Sequence, residues 1–245
     1  MMLSRILRAK APQRLECGDD RARSSSRTHV GHVRKVNEDR ILDRPERNLW
    51  AVADGMGGHR SGDVAAQLAI DALDALDHPT ADTIVAALEG ANAALYSRGD
   101  PGERRCGTTI VVASIHGNMA EIFWAGDSRA YRIRDGELEL LTHDHSLVQG
   151  LIDAGALSAE EALRHPKANV ITRALGVEGQ IVIDRIRVAL RDGDLILLCS
   201  DGLSRTMDAR LPRALSLHDL ASFLIDRAMS RDGTDNASLI IATTG

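Results

Sequence analysis

Residues 108–134, TTIVVASIHGNMAEIFWAGDSRAYRIR, decide the fold class. Apolar and strand-forming residues run through Thr108–Ile115, Met119–Ala125 and Arg129–Arg134. The breaks between them, His116-Gly117-Asn118 and Gly126-Asp127-Ser128, are turn formers, and Asp135-Gly136 adds another hairpin signal. Strands that follow one another across short turns pair antiparallel, because a parallel pair needs a crossover of a dozen or more residues.

Working outward, NLWAVA (Asn48–Ala53) is a compact apolar run that closes on Asp54-Gly55. A helix is predicted over Asp63–Asp77, with Asp63, Gln67, Asp71, Asp74 and His78 on its polar side and Val64, Leu68, Leu73 and Leu76 facing elsewhere. After His78-Pro79, Thr80 can cap a second helix, Asp82–Tyr96, with Ile84, Leu88, Ala91 and Leu95 on one face. Downstream, residues 144–172 are polar and helix-forming only in patches (Ser146–Ala154, Ser158–Leu163), which predicts a surface insertion. Strands follow at Ile181–Ala189 and Asp194–Cys199, then a helix at Ser216–Ser230 and a last strand at Ala237–Thr243. Strands in runs and helices in pairs make this α+β.

Composition narrows the function. The 245 residues include two each of Trp, Tyr and Phe, and the net charge is −5, which argues against a base-stacking nucleic-acid platform. The longest apolar runs fall far short of the ~20 residues that span a bilayer. Cys17, Cys106 and Cys199 are odd in number and widely spaced, which predicts a reducing compartment and a cytoplasmic protein. Residues 1–27 hold seven basic and three acidic residues and no apolar stretch of signal-peptide length. They are read as a mobile basic tail, or as the product of a start codon set too far upstream, and residues 28–245 as one domain.

The informative acids sit at strand ends and tight turns. Asp39 follows Asn37-Glu38 after a strand, Asp54 ends NLWAVA, and Asp127 lies in the Gly126–Ser128 turn. Asp201 follows LILLC-Ser200, and Asp235 precedes the last strand. Carboxylates converging on one rim repel unless a cation neutralises them, and hard oxygen ligands suit Mg²⁺ or Mn²⁺ rather than zinc. Arg34, on the strand leading to Asn37-Glu38-Asp39, is the candidate anion holder. The spacing C-x5-R occurs at Cys17–Arg23 and Cys199–Arg205, but Asp19, Asp20 and Asp201 would put carboxylates inside a thiolate's anion cradle. The cluster Asp54-Gly-Met-Gly-Gly-His59 is neither a P-loop nor a dinucleotide fingerprint; its glycines let backbone approach a ligand or metal.

In order, the chain carries VRKVNEDR (Val33–Arg40), VADGMGGH (Val52–His59), CGTT (Cys106–Thr109), AGDSRAY (Ala125–Tyr131), LTHDHSLV (Leu141–Val148), ITRALG (Ile171–Gly176), LLCSDGLSR (Leu197–Arg205) and GTDNASLII (Gly233–Ile241). This series resembles the bacterial protein phosphatase 2C family, the metal-dependent Ser/Thr protein phosphatases, from about Thr28 to the C-terminus. The resemblance implies a four-layer α-β-β-α sandwich, two antiparallel sheets flanked by helix pairs, with a flap at about 144–172 near the metal site. It implies that Asp54 bridges two Mn²⁺ or Mg²⁺ ions with the Gly55 carbonyl as a further ligand. Asp201 and Asp235 complete one ion's shell, Glu38 and Asp39 act mostly through water, and Asp127 with Asp201 holds a third, weaker ion. Arg34 matches the phosphate-binding arginine. The implied reaction is hydrolysis of phosphoserine and phosphothreonine monoesters by a two-metal-activated hydroxide, without a phosphoenzyme intermediate. Where animal relatives place a proposed general-acid His, this chain has Met56, so His59, a water of the third ion or bulk solvent must supply the proton. His165, in the flap, is a candidate substrate contact. The implied partners are phosphorylated proteins and a cognate Ser/Thr kinase, with the phosphatase itself a monomer.

Overall fold

The structure is a computed structural model and describes residues 23–57, 62–98, 106–213 and 215–243. In chain order its elements are β1 (Arg23–His29), β2 (Asp39–Arg44), β3 (Leu49–Met56), α1 (Gly62–Asp74), α2 (Ala81–Arg98), β4 (Gly107–Thr108), β5 (Ile110–His116), β6 (Met119–Ala125), β7 (Arg129–Arg134), β8 (Glu137–Leu140), α3 (Leu147–Asp153), α4 (Ala159–Leu163), β9 (Asp184–Ala189), β10 (Leu195–Cys199), α5 (Asp201–Ser204), α6 (Leu217–Arg231) and β11 (Ala237–Thr243). One antiparallel sheet runs β1-β11-β10-β7-β8; the other runs β2-β3-β5-β6-β9, with β4 added beside β3.

The apolar runs are unbroken because both faces of the central strands are covered. Leu49, Ala51 and Ala53 of β3 face α1 and α2, while Trp50 and Val52 face the opposite sheet. On β10 and β11, Ile196, Leu198, Ile240 and Ala242 meet Trp50 and Val52 in the space between the sheets. Their alternate neighbours Leu197, Leu239 and Ile241 pack under Leu220, Ala221 and Leu224 of α6. Period-two alternation thus sorts each strand between two cores, giving four layers: helices, sheet, sheet, helix. The α+β sandwich of two antiparallel sheets is borne out.

Several boundaries differ from the sequence reading. Arg23–Arg27, assigned to the basic tail, belong to β1, an edge strand paired with β11 from Arg23↔Thr243 to His29↔Ala237. Its run RSSSRTH is polar because the strand is only half covered, so no apolar period marks it. Residues 1–22 lie outside the described residues. α1 ends at Asp74, not Asp77. Arg44 grips the Asp74 carboxylate through Nε and Nη2, 2.8 Å each, and Arg47 Nη1 donates to the Asp74 carbonyl at 2.6 Å, closing the helix end from outside. Its buried face is Ala65, Ala66, Ala69, Ile70 and Leu73, with Val64 half exposed: the small alanines lie against β3. α2 buries Ile84, Leu88, Ala91 and Leu95 as the spacing predicts.

The stretch 144–172 is an excursion closed at its neck by an antiparallel bridge, Ser146↔Ile171. Leu147 N donates to Val170 O at 2.8 Å and Thr172 N to His145 O at 2.8 Å. Inside it, Ser146 caps α3 and Ser158 with Glu161 forms a capping box on α4, so both short helices are locally encoded. No helix among the described residues is long and apolar enough to cross a membrane.

Candidate active site

One end of the sandwich gathers the acids. β2 and β3 pair Asp39 directly against Asp54. Asp127 lies between β6 and β7, Asp201 directly follows β10-Ser200, and Asp235 directly precedes Asn236 and β11. Arg34 departs from the sequence reading. It lies not on a strand but in the 30–38 connection between β1 and β2, because that segment is bent back against residues 233–236. His32 N donates to Gly233 O at 2.6 Å, and a Cβ on Gly31 (φ +83°) would stand 2.4 Å from Asp235 O.

Asn236 pins this loop. Its Nδ2 donates to Val30 O at 2.8 Å and Val36 O at 3.1 Å, and its Oδ1 accepts from Glu38 N at 2.8 Å. The Asp54 backbone is clamped in turn: Thr109 N (2.9 Å) and Thr108 Oγ1 (3.0 Å) donate to Asp54 O. Gly55 and Gly62 cross so closely that a Cβ on Gly55 would sit 2.1 Å from Gly62 O. His145 holds the Asp127 turn from both sides. Its Nδ1 accepts from Gly126 N at 3.1 Å and its own N–H donates to Gly126 O at 2.9 Å. The imidazole stacks on Trp124 and meets Arg173 and Asp184 through Nε2.

Electrostatics sets the chemistry. Burial and the neighbouring Asp39, Asp201, Asp127 and Asp235 push the Asp54 carboxyl well above the usual carboxylate range. Burial pushes Asp39 up to about 7, despite a 2.8 Å hydrogen bond that its Oδ2 accepts from Ser200. Asp127 is also pushed up to about 7, by burial and by Asp201 and Asp144. Asp201 is raised by burial, and Arg205 opposes the shift. At the edge, Arg34 Nη2 donates to Asp235 Oδ2 at 2.9 Å with half of its side chain exposed.

The donor set fits hard divalent cations. Asp39 Oδ1 and Asp127 Oδ1 are buried and accept no hydrogen bond, acceptors left open inside a cluster of like charge. Among the described residues, no three His, Cys, Asp or Glu side chains already converge on one point. Arg34 Nη2 donates to Asp235 Oδ2 and Arg205 Nη2 to Asp201 Oδ2, each from the edge of the cluster.

Of the sequence candidates, Asp39, Asp54, Asp127, Asp201 and Asp235 come together. Glu38 and Arg34 adjoin them, since both Glu38 and Asp54 act on the Arg34 charge. His59 lies outside the described residues. His165 lies in the 144–172 excursion, where its Nδ1 accepts from Lys167 N at 3.2 Å. Cys199 is fully buried in β10 with its thiol pushed up to about 12 by burial, so the C-x5-R spacing there carries no thiolate. Sequence reasoning missed Ser200, Asn236, Thr108, Thr109 and His145, whose polar side chains turn inward to hold the acids. Between the cluster and α3–α4 lies a cleft of about 470 Å³, lined by Asp127, Asp201 and Arg205 on one wall and Val148, Ile152 and Leu163 on the other.

Residues 28–237 match the model of the family described as Protein phosphatase 2C. The serine/threonine phosphatase stp of Listeria welshimeri is 36% identical over 234 residues, covering 88% of this chain and 93% of that protein. Among solved structures, PppA of Pseudomonas aeruginosa, described as a key regulatory component of its T6SS, superposes with a TM-score of 0.81 at 36% identity, covering 92% of this chain and 98% of that one. The catalytic domain of the serine threonine protein phosphatase PstP, in complex with two manganese ions, superposes with a TM-score of 0.78 at 35% identity, covering 91% and 97%.

Proposed function

The chain belongs to the protein phosphatase 2C family and is a metal-dependent serine/threonine protein phosphatase; from that premise we propose that its acid cluster is the hydrolytic centre. The observation that carries this assignment is the buried, unbonded Asp39 Oδ1 beside Asp54, which faces four other carboxylates. Asp54, Asp201 and Asp235 would hold the metal ions, with the Gly55 carbonyl as a further donor, and Glu38 and Asp39 would act through water. Two divalent cations, Mn²⁺ or Mg²⁺, supply Lewis acidity and lower the pKa of water when bound.

The remaining work falls to the chain. Arg34, half exposed, exchanges Asp235 for the substrate phosphate and orients it with a planar fork. Cys199 is buried with a raised pKa, and the Ser200 hydroxyl is committed to Asp39, so neither serves as a nucleophile. Attack therefore falls to water, and no phosphoenzyme forms. Met56 has no proton to give, which leaves water or His59 to protonate the leaving alkoxide. The cleft under α3 and α4 receives the polypeptide on either side of the phosphorylated Ser or Thr.

The catalytic unit begins at Arg23, where β1 completes its sheet, and it works as a cytoplasmic monomer on proteins phosphorylated by a Ser/Thr kinase. Asp235→Asn tests the ligand set. Turnover of a phosphothreonine peptide falls by ~10²–10³-fold with circular dichroism unchanged; near-normal turnover contradicts the assignment.

A further inference from the structure

Six carboxylates meet at this end of the sandwich, and their charge has to be balanced. Glu38, Asp39, Asp54, Asp127, Asp201 and Asp235 carry six negative charges when ionised. The pair of divalent cations in the reading above brings four positive charges, and Arg34 brings one on the Asp235 side. One charge remains, at the opposite side, where Asp127 and Asp201 lie.

Arg205 meets it. It stands four residues after Asp201, one helical turn on at the end of α5, so its side chain folds back over that carboxylate. Its Nη2 donates to Asp201 Oδ2, with two thirds of the arginine side chain covered. Arg205 also lines the cleft with Asp127 and favours that carboxylate's ionised form. The other charges in this corner are already matched: Asp144 is held by Arg129 through Nε and Nη2, at 2.9 and 2.7 Å. Asp127 Oδ1 remains an open acceptor.

We propose that the Arg205 guanidinium is the fixed cation of the Asp127–Asp201 corner and takes the place that a third divalent ion would otherwise fill. A guanidinium has donors only and does not deprotonate in proteins, so the charge is permanent. It occupies one of the oxygens that an incoming divalent ion would need, Asp201 Oδ2, and its charge repels that ion. The site is then complete with two ions, and the open acceptor at Asp127 is left to substrate-side water. This inference rests on the two-ion reading of the cluster.

Stoichiometry tests it. The full chain is stripped with chelator, and Mn²⁺ is titrated by calorimetry, alongside Arg205→Gln, Arg205→Lys and Asp127→Asn. Wild type and Arg205→Lys take up two equivalents. Arg205→Gln takes up a third, in a concentration range where wild type shows none. Asp127→Asn stays at two, because no ion depends on it; this arm stands whether or not Arg205→Gln folds. A third equivalent in wild type that Asp127→Asn removes overturns the proposal, as does a folded Arg205→Gln that stops at two. Fewer than two equivalents in wild type refutes the two-ion reading itself and is told apart from these outcomes by that number.

Discussion

Gly202→Ala is the most direct probe of how the fold sets the distance between two of the acids. Gly202 follows Asp201 in α5 and lies against the chain that carries Asp235. A Cβ there would stand 2.0 Å from Asn236 O and 3.0 Å from Asn236 C, where ordinary contact begins at 3.4 Å. Its φ is not in the left-handed region, so the conformation itself suits alanine. In a helix, Gly→Ala alone stabilises by ~0.5–1 kcal/mol. The clash acts the other way: both partners are backbone, neither can rotate aside, and overpacking costs ~1–3 kcal/mol with the upper end apt here. The net loss is about 2 kcal/mol, which lowers Tm by ~4–8 °C in a domain of this size. The two segments must also part by about an ångström, and a displacement of that size near reacting groups costs ~10²-fold in rate. Differential scanning fluorimetry reads the first effect, and kcat/KM on a phosphothreonine peptide with saturating Mn²⁺ reads the second. A variant within about 1 °C and about twofold of wild type refutes the reasoning.

Asn236→Ala removes the contacts to Val30 O, Val36 O and Glu38 N, each worth ~1 kcal/mol net, so urea unfolding should show a loss of about 3 kcal/mol; less than ~1 kcal/mol contradicts the pinning role. Asp194 probes pH dependence far from the cluster. Arg134 grips its carboxylate at 2.8 and 2.6 Å and holds its pKa below the usual range. A depressed folded pKa stabilises above the unfolded value and is lost as pH falls through the folded one. The stability gap between wild type and Asp194→Asn should therefore hold above pH ~5 and shrink below pH ~4; a gap constant down to acid pH refutes the pairing.

Strand-end acids were legible because an ionisable residue closing an apolar run is conspicuous. Asp54 after NLWAVA, Asp201 after LILLC-Ser200 and Asp235 before ASLIIAT all reach the cluster as read. The central strands were legible for the same reason: with two buried faces, β3, β10 and β11 carry continuous apolar runs. The half-covered β1 had no such signal, and its Ser-rich sequence resembles a tail. Arg34 reads locally as a strand residue because only long-range partners of its segment, Asn236 and Gly233, bend that segment back. His145 and Asn236 gave no local sign either: an inward-facing polar side chain has the same letter as a turn former. Arg205 was conspicuous in the sequence only as the end of a spurious C-x5-R spacing, and its meaning depends on Asp127, which reaches it through the fold alone.

The measurement that bears most directly on the whole account is phosphate release from a phosphothreonine peptide by the purified chain, with Mn²⁺, with chelator and with Asp54→Asn. The account predicts release with Mn²⁺, none after chelation, and a loss of ~10²–10³-fold or more in Asp54→Asn, whose metal-free form keeps its fold and gains stability as a buried repulsive charge is removed. Release that survives chelation or the Asp54 substitution, or no release from the folded, Mn²⁺-loaded chain, contradicts it.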